Sequence, residues 1–438
     1  LLGVIYLIAF ASLAPQIRGL LGVNGMAPAA ETLLAMHSDY GWRAYLEVPS
    51  LFWLAPKDWC LLALCIMGCL AALPLLFGVL VRSSAMAAYL LYLSLVSIGQ
   101  PFTSFQWDAL LLETGFLAIF AGSPLLPLAY RFLLFRFMFE SGLVKLTSHD
   151  ANWRNLHALR YHFFTQPLPT PLAYYVQHAP DWLLTAATFA VLLIELVTPF
   201  LLFVPARRVR VAAVGPLVLL QILIALTGNY AFFNLLTLAL CLWGLDDSCY
   251  SRLEDWRAVF RPPAVWASFP VAAVLALGVL QIFDLQPPFF SSFEIVNPYG
   301  LFAVMTTSRV ELIVEGSDDL VNWQAYSFRY KPGDVRRGLP LVAPYQPRLD
   351  WQMWFAALGD PQQNPWAQVL VYRLLSGQKQ VLKLLEPSPF PKPPRAIRIQ
   401  AYSYTFTDSA QRLRNGTVWK RTFLGTWLPP TSLPADQR

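Results

Sequence analysis

The sequence predicts a polytopic α-helical membrane bundle of about nine spans, followed by a C-terminal, antiparallel β-sandwich-like α+β domain. Three observations predict it. Hydrophobic residues make up 56% of the chain and charged residues only 13%, which lies well outside the composition of soluble globular proteins. Apolar runs recur up to residue 284 at lengths near the roughly 20 residues that a helix needs to cross a bilayer. Beyond Asp284 a proline-punctuated linker leads into stretches of period-two alternation, the pattern of half-buried strands.

Taken in order, residues 1–14 form a short apolar helix, and residues 15–59 form a polar external loop with an amphipathic piece at 29–36. Residues 60–81 and 84–98 read as a helical hairpin turned at Arg82. Residues 105–121 and 131–146 form a second hairpin, and residues 148–182 a second long loop stiffened by the prolines of QPLPTP. Residues 183–204, 209–227, 230–244 and 264–283 complete the spans, with Pro199 placed to kink the first of them. Residues 1–284 are therefore the helical domain and 285–438 an external β-rich domain. In that domain VELIVEG and WQAYSFRY read as strands, 349–358 and 366–375 as helices, and 396–406 with 417–426 as a final hairpin about Asn415–Gly416.

Alternating spans collect Arg82, Arg131, Arg207, Arg208, Arg210, Arg252, Arg257 and Arg261 on one side, close to helix ends. The positive-inside rule makes that side cytoplasmic. Both long loops and the C-terminal domain then face the lumen or periplasm. The net charge of +6 is thus an orientation signal, and no basic stripe or motif points to nucleic acid.

The second hairpin carries Asp108, Glu113, Arg131, Arg136, Glu140 and Lys145 at depths where hydrocarbon is expected, and Glu195 joins them from a later span. A charge at the bilayer centre costs roughly 2.5–3.5 kcal/mol on insertion scales, so such groups pair, face a cavity or act chemically. An internally paired hairpin is one reading and a functional site the other. The discriminating feature is whether these charges pair off directly or converge on an open cavity.

FQWDALLLETGFLAIF, RFLLFRFMFESGLVKL, WRNLHALRYHFFTQPLPTPLAYY, LTGNYAFFNLLT and YKPGDVRRGLPLVAPYQPRLDWQMWFAALG occur in this order along nearly the whole chain. Together they resemble the lipase maturation factor family, multi-pass membrane proteins that help secreted lipases fold and assemble. The resemblance implies a membrane chaperone without catalysis, whose partners are a secreted lipase or other exported client and membrane lipid. It would reside in the endoplasmic reticulum membrane of a eukaryote or the inner membrane of a bacterium. A shorter likeness, residues 131–153, is to the membrane domain of vitamin K-dependent carboxylases. It supplies the alternative, a membrane enzyme or small-molecule-binding protein with chemistry among Asp108, Glu113, Glu140, Lys145 and Glu195.

No nucleophile elbow, phosphate loop, dinucleotide fingerprint or zinc-protease motif is present, so no catalytic residue and no cofactor are assigned. Of the five cysteines none forms a Cys-x-x-Cys pair. His149, His157, His162 and His178 cluster about the second loop in a spacing that fits no zinc pattern, so no metal is assigned either. The expected client contacts are the aromatics Tyr345, Trp351 and Trp354 of the external domain with His157 and His162 of that loop.

Overall fold

The computed structural model describes residues 1–245, 265–287 and 289–434. Arg252, Arg257 and Arg261 of the basic side, and Cys249, lie outside the described residues. The principal helices of the first part are α1 (Leu2–Leu13), α2 (Asp58–Leu76), α3 (Val81–Ile98), α4 (Gln106–Ala118), α5 (Leu126–Thr147), α6 (Asp181–Leu196), α7 (Arg207–Thr227), α8 (Phe233–Cys241) and α9 (Ser268–Ile282). Short helices fill the loops between them.

Five helical segments among the described residues are long and apolar enough to cross a membrane: Asp58–Leu76, Val81–Ile98, Asp181–Leu201, Arg207–Thr227 and Val265–Ile282. Helices α1 and α8 are apolar but shorter, and α4 and α5 carry the charges. On α7, Leu219, Ile222, Leu223 and Leu226 are exposed at helical spacing while Leu217, Leu220 and Gln221 are buried. An exposed apolar stripe is stable where the surrounding medium is hydrocarbon. Helix α6 ends at Leu196, and Pro199 opens a separate turn at Thr198–Leu201, the break expected where the ring removes a helical N–H.

Small residues let the helices approach closely. A side chain at Gly115 of α4 would overlap the hydroxyl of Tyr6 on α1, and one at Gly68 of α2 would overlap the ring of Phe10. Close packing of this kind holds helices together in lipid, where apolar burial offers little.

The C-terminal part is one four-stranded antiparallel sheet of order β2-β1-β3-β4, built from β1 (Arg309–Ser317), β2 (Gln324–Ala325), β3 (Ala396–Phe406) and β4 (Trp419–Thr431). The described strands thus form a single sheet rather than the two packed sheets of a sandwich, because helices cover it instead. Helix α10 (Arg348–Ala356) packs on β1 and α11 (Pro365–Leu375) on β3. The WQAYSFRY stretch contributes only the two residues of β2. Strands β3 and β4 pair antiparallel, with Tyr402 opposite Phe423, and their connection contains the helix Ser409–Asn415. That helix is capped by the Asp408 carboxylate at one end and by Gly416, at φ 66°, at the other, the backbone region that glycine enters without penalty.

Strand β1 is buried almost throughout, where the alternation had suggested one wet face. The second loop explains it. Arg309 donates to the carbonyls of Phe164 at 3.0 Å and Pro167 at 2.8 Å, and also to that of Gln166. Its charge is held by Glu311 at 2.6 Å, which also takes Lys331 at 2.7 Å. The polar face of β1 is therefore roofed by the loop rather than by water.

Candidate functional site

The charges of the helical domain pair off in three groups, each reaching a different element. The first centres on Asp108, which sits in the first turn of α4. Arg348, at the start of α10 in the C-terminal part, grips it bidentately, with Nη1 to Oδ2 and Nη2 to Oδ1 both at 2.9 Å. Both side chains are 0% exposed. Arg348 also donates to the Phe102 carbonyl at 2.7 Å, and the Tyr92 hydroxyl donates to Asp108. The neighbouring Gln16 side chain donates to the Gln346 carbonyl at 2.8 Å and accepts from the Arg348 N–H at 3.0 Å. A planar guanidinium matched to a carboxylate is the geometry in which a buried pair recovers most of its desolvation. This pair joins residues 240 apart and fastens the sheet domain to the helices.

The second group centres on Arg136. Arg136 of α5 reaches Glu113 of α4 at 2.7 Å, Glu140 at 3.5 Å and the Asn297 carbonyl at 2.6 Å. Glu113 in turn accepts from the Asn297 N–H at 3.0 Å and the Tyr299 hydroxyl at 2.9 Å, and Glu140 accepts from the Tyr299 N–H at 2.9 Å. The linker segment at 297–299 is thereby tied to both helices of the hairpin. In the third group Lys145 of α5 contacts Glu195 of α6 at 2.7 Å and lies 5.2 Å from the Trp153 ring. Arg131 donates to the Trp243 carbonyl at 2.6 Å.

An internally paired hairpin describes only Glu113, Arg136 and Glu140. Asp108 and Lys145 find their partners on other elements, which the local sequence does not signal. Arg348 and Asn297 are the site residues that sequence reasoning missed. The one hint at Arg348 was a cation beside an aromatic pair in RLDWQMWF.

The expected contact aromatics divide. Trp351 is 3% exposed and packs against Trp107, Phe105 and Tyr230 of the helical domain, at ring centroid distances of 4.8, 5.9 and 5.6 Å. It is an anchor of the interface between the two parts, and its placement on a client-facing surface is corrected. Trp354 is half-buried and spends its indole N–H on the Thr165 carbonyl at 2.7 Å. Tyr345 is half-buried against Tyr330, and His157 and His162 are half-buried in the loop. Among the described residues no group of three or more metal-ligating side chains is placed to hold a metal ion. Cys60, Cys65, Cys69 and Cys241 are free thiols.

His162 stands edge-on to Phe163 and Phe302, and desolvation together with the nearby Lys145 charge lowers its pKa from 6.5 to about 4. A depressed histidine stabilises the fold above its unfolded pKa, and that contribution is lost as pH falls from 6.5 through 4. Asp350 has the opposite sign. Burial raises its carboxyl from 3.8 to about 6 despite the Lys331 and Tyr330 N–H donors, so its contribution is present below 3.8 and lost as pH rises through 6. The comparison of His162→Gln with the parent isolates the histidine's contribution. Between pH 6.5 and 4 the parent should lose more melting temperature than the variant, and parallel loss in both would mean that His162 titrates alike folded and unfolded.

Comparison with known proteins agrees with this architecture. Residues 1–252 match the lipase maturation factor transmembrane domain, and residues 295–429 match the lipase maturation factor C-terminal domain. The chain is 33% identical to human lipase maturation factor 2, over 98% of this chain and 81% of that protein. It is also 33% identical to mouse lipase maturation factor 1, over 99% of this chain and 86% of the relative. No solved structure matches it. With helices and sheet domain both matched and the likeness running the length of the chain, the protein belongs to the lipase maturation factor family.

Proposed function

We propose that the chain is a membrane chaperone that assists the folding or assembly of a secreted lipase or other exported client, with no catalytic step of its own. The observation that carries this reading is the pairing of the buried charges. Asp108 and Glu113 each sit against a guanidinium, at 2.9 and 2.7 Å, and Lys145 and Glu195 against each other at 2.7 Å, so these groups are paired rather than aimed at an open cavity as a base would be, while Glu140 shares Arg136 with Glu113 at 3.5 Å. The relatives carry the name of lipase maturation factors, which supplies the client class.

In this reading the short helices α1, α4 and α8 and the charge-bearing α5 cross the bilayer with the five long apolar segments, giving nine spans. The C-terminal domain is lumenal or periplasmic, in the endoplasmic reticulum or inner membrane respectively. Arg82, Arg131, Arg207, Arg208 and Arg210 support that orientation. Client contact falls to the surface shared by the sheet domain and the 148–182 loop. These are one body, joined by Arg309, by Trp354 and by the Tyr174 hydroxyl on the Thr407 carbonyl at 2.9 Å. Half-buried Tyr345, His157 and His162 are the remaining contact candidates.

Two measurements test it. Co-expression with a dimeric secreted lipase in cells lacking their own maturation factor should raise lipase activity per unit of lipase antigen. An unchanged specific activity would remove the chaperone reading. A cysteine at exposed Gly338, where an added Cβ meets nothing within 4 Å, should react with an impermeant maleimide from the lumenal or periplasmic side. Reaction only from the cytoplasmic side would invert the topology.

A further inference from the structure

Strand β4 runs for 13 residues at the end of the sheet, paired to β3 on one side only. Its ladder phase follows from one bond. The Thr407 N–H donates to the Val418 carbonyl beside the facing pair Phe406 and Trp419, so that pair is a non-hydrogen-bonded one. Counting along the register, Lys420 and Thr422 bond inward to Thr405 and Ser403, while the main-chain groups of Trp419, Arg421 and Phe423 point outward. The Trp419 N–H is taken by the Val335 carbonyl at 3.1 Å. Beyond the β3–β4 ladder, no backbone acceptor among the described residues meets the N–H of Arg421 or Phe423.

Long bare edges invite strand addition, and proteins ordinarily shorten or cover them. Pro429, Pro430 and the register breaks blunt the far half of this one, and Val335 meets its start, which leaves 420–424 as the open stretch. Residues 420–424 are all exposed, Phe423 and Leu424 each at 55%. Lys420 and Arg421 lie on the edge and Arg412 and Arg414 on the helix leading into it, and β4 itself contains no acidic residue. Arg412 also stacks over Tyr174 and Tyr175, which places the start of the edge beside the 148–182 loop.

We propose that the outer edge of β4 is a docking edge for an extended, acidic-and-apolar segment of a client polypeptide, which adds as a fifth strand. This rests on the chaperone reading and names the feature of the client that is grasped. Main-chain bonds at Arg421 and Phe423 supply affinity without demanding a sequence, the apolar side chains of Phe423 and Leu424 take alternate apolar residues, and the four cations select acidic flanks. Once the client folds, that segment pairs within its own sheet and leaves the edge.

The test uses the full chain in nanodiscs and a fluorescein-labelled peptide of alternating valine and threonine with a glutamate pair at one end. The peptide should bind and slow amide exchange at Arg421 and Phe423. N-methylation of its alternate amides, which keeps charge and side chains, should weaken binding by about tenfold or more, the loss expected for one or two main-chain hydrogen bonds. Replacing its glutamates by lysines should weaken it comparably, and Phe423→Pro, which removes the main-chain donor as well as the ring, should lose clearly more affinity than Phe423→Ala, which removes the ring alone. No binding, equal binding of the N-methylated peptide, or amide protection elsewhere would overturn the proposal. Lipase maturation is scored in the same preparations' source cells. Absent peptide binding with maturation intact removes the edge alone, whereas absent maturation removes the chaperone reading. Dimerisation of the chain that Phe423→Pro abolishes would assign the edge to a second copy and also overturn it.

Discussion

Arg348→Ala is expected to destabilise the protein by about 3–5 kcal/mol, because it strands a buried carboxylate. Asp108 is 0% exposed, and with the guanidinium gone it keeps only the Tyr92 hydroxyl. The Phe102 carbonyl and the Tyr92 hydroxyl lose a donor at the same time. The sheet domain should then loosen from the helices, seen as a lower melting temperature in nanodiscs and faster proteolysis in the 285–305 linker. Replacing both partners by apolar residues, Arg348→Met with Asp108→Leu, should restore much of the loss, since no charge is then left buried alone. A parent-like melting temperature for Arg348→Ala would mean that the domain is held by its apolar contacts, with Trp351 foremost.

Glu113→Ala is expected to rank with it, at about 3–5 kcal/mol, for the same reason applied to a cation. Arg136 is 1% exposed and would retain only Glu140 at 3.5 Å as a counter-charge. The Asn297 N–H and the Tyr299 hydroxyl would each lose their acceptor in a buried place. Reduced membrane abundance and early melting are the readouts. Glu113→Gln, which keeps an acceptor, should fall between the two. Full abundance and stability of Glu113→Ala would place Arg136 in contact with water.

Sequence made the helices legible because apolar length and periodicity are local properties, and α2, α3, α6, α7 and α9 overlap the apolar runs 60–81, 84–98, 183–204, 209–227 and 264–283. The β3 and β4 hairpin was legible for a related reason, since alternation and a following glycine are both short-range. What sequence withheld was partnership. Asp108 and Arg348 are both conspicuous in their own stretches, yet nothing local says that one answers the other across 240 residues. Lys145 is matched by Glu195 rather than by the nearer Glu140, because an α-helix puts its i and i+5 positions on different faces. Trp351 shows the same limit from the other side. Tryptophans serve cores and interfaces alike, and only the facing Trp107 and Tyr230 decide which. The sandwich expectation missed because two helices and a loop can cover a sheet as well as a second sheet can.

A double-mutant cycle on Asp108→Ala and Arg348→Ala, read as thermal and denaturant stability of the full chain in nanodiscs, tests most directly whether the buried charges serve to lock the two parts together. The predicted result is strong coupling, at least as large as the smaller of the two single losses, with the double variant no less stable than the less stable single one. Additive losses, with each substitution acting as though the other residue were absent, would contradict the lock and return these charges to the search for an open site.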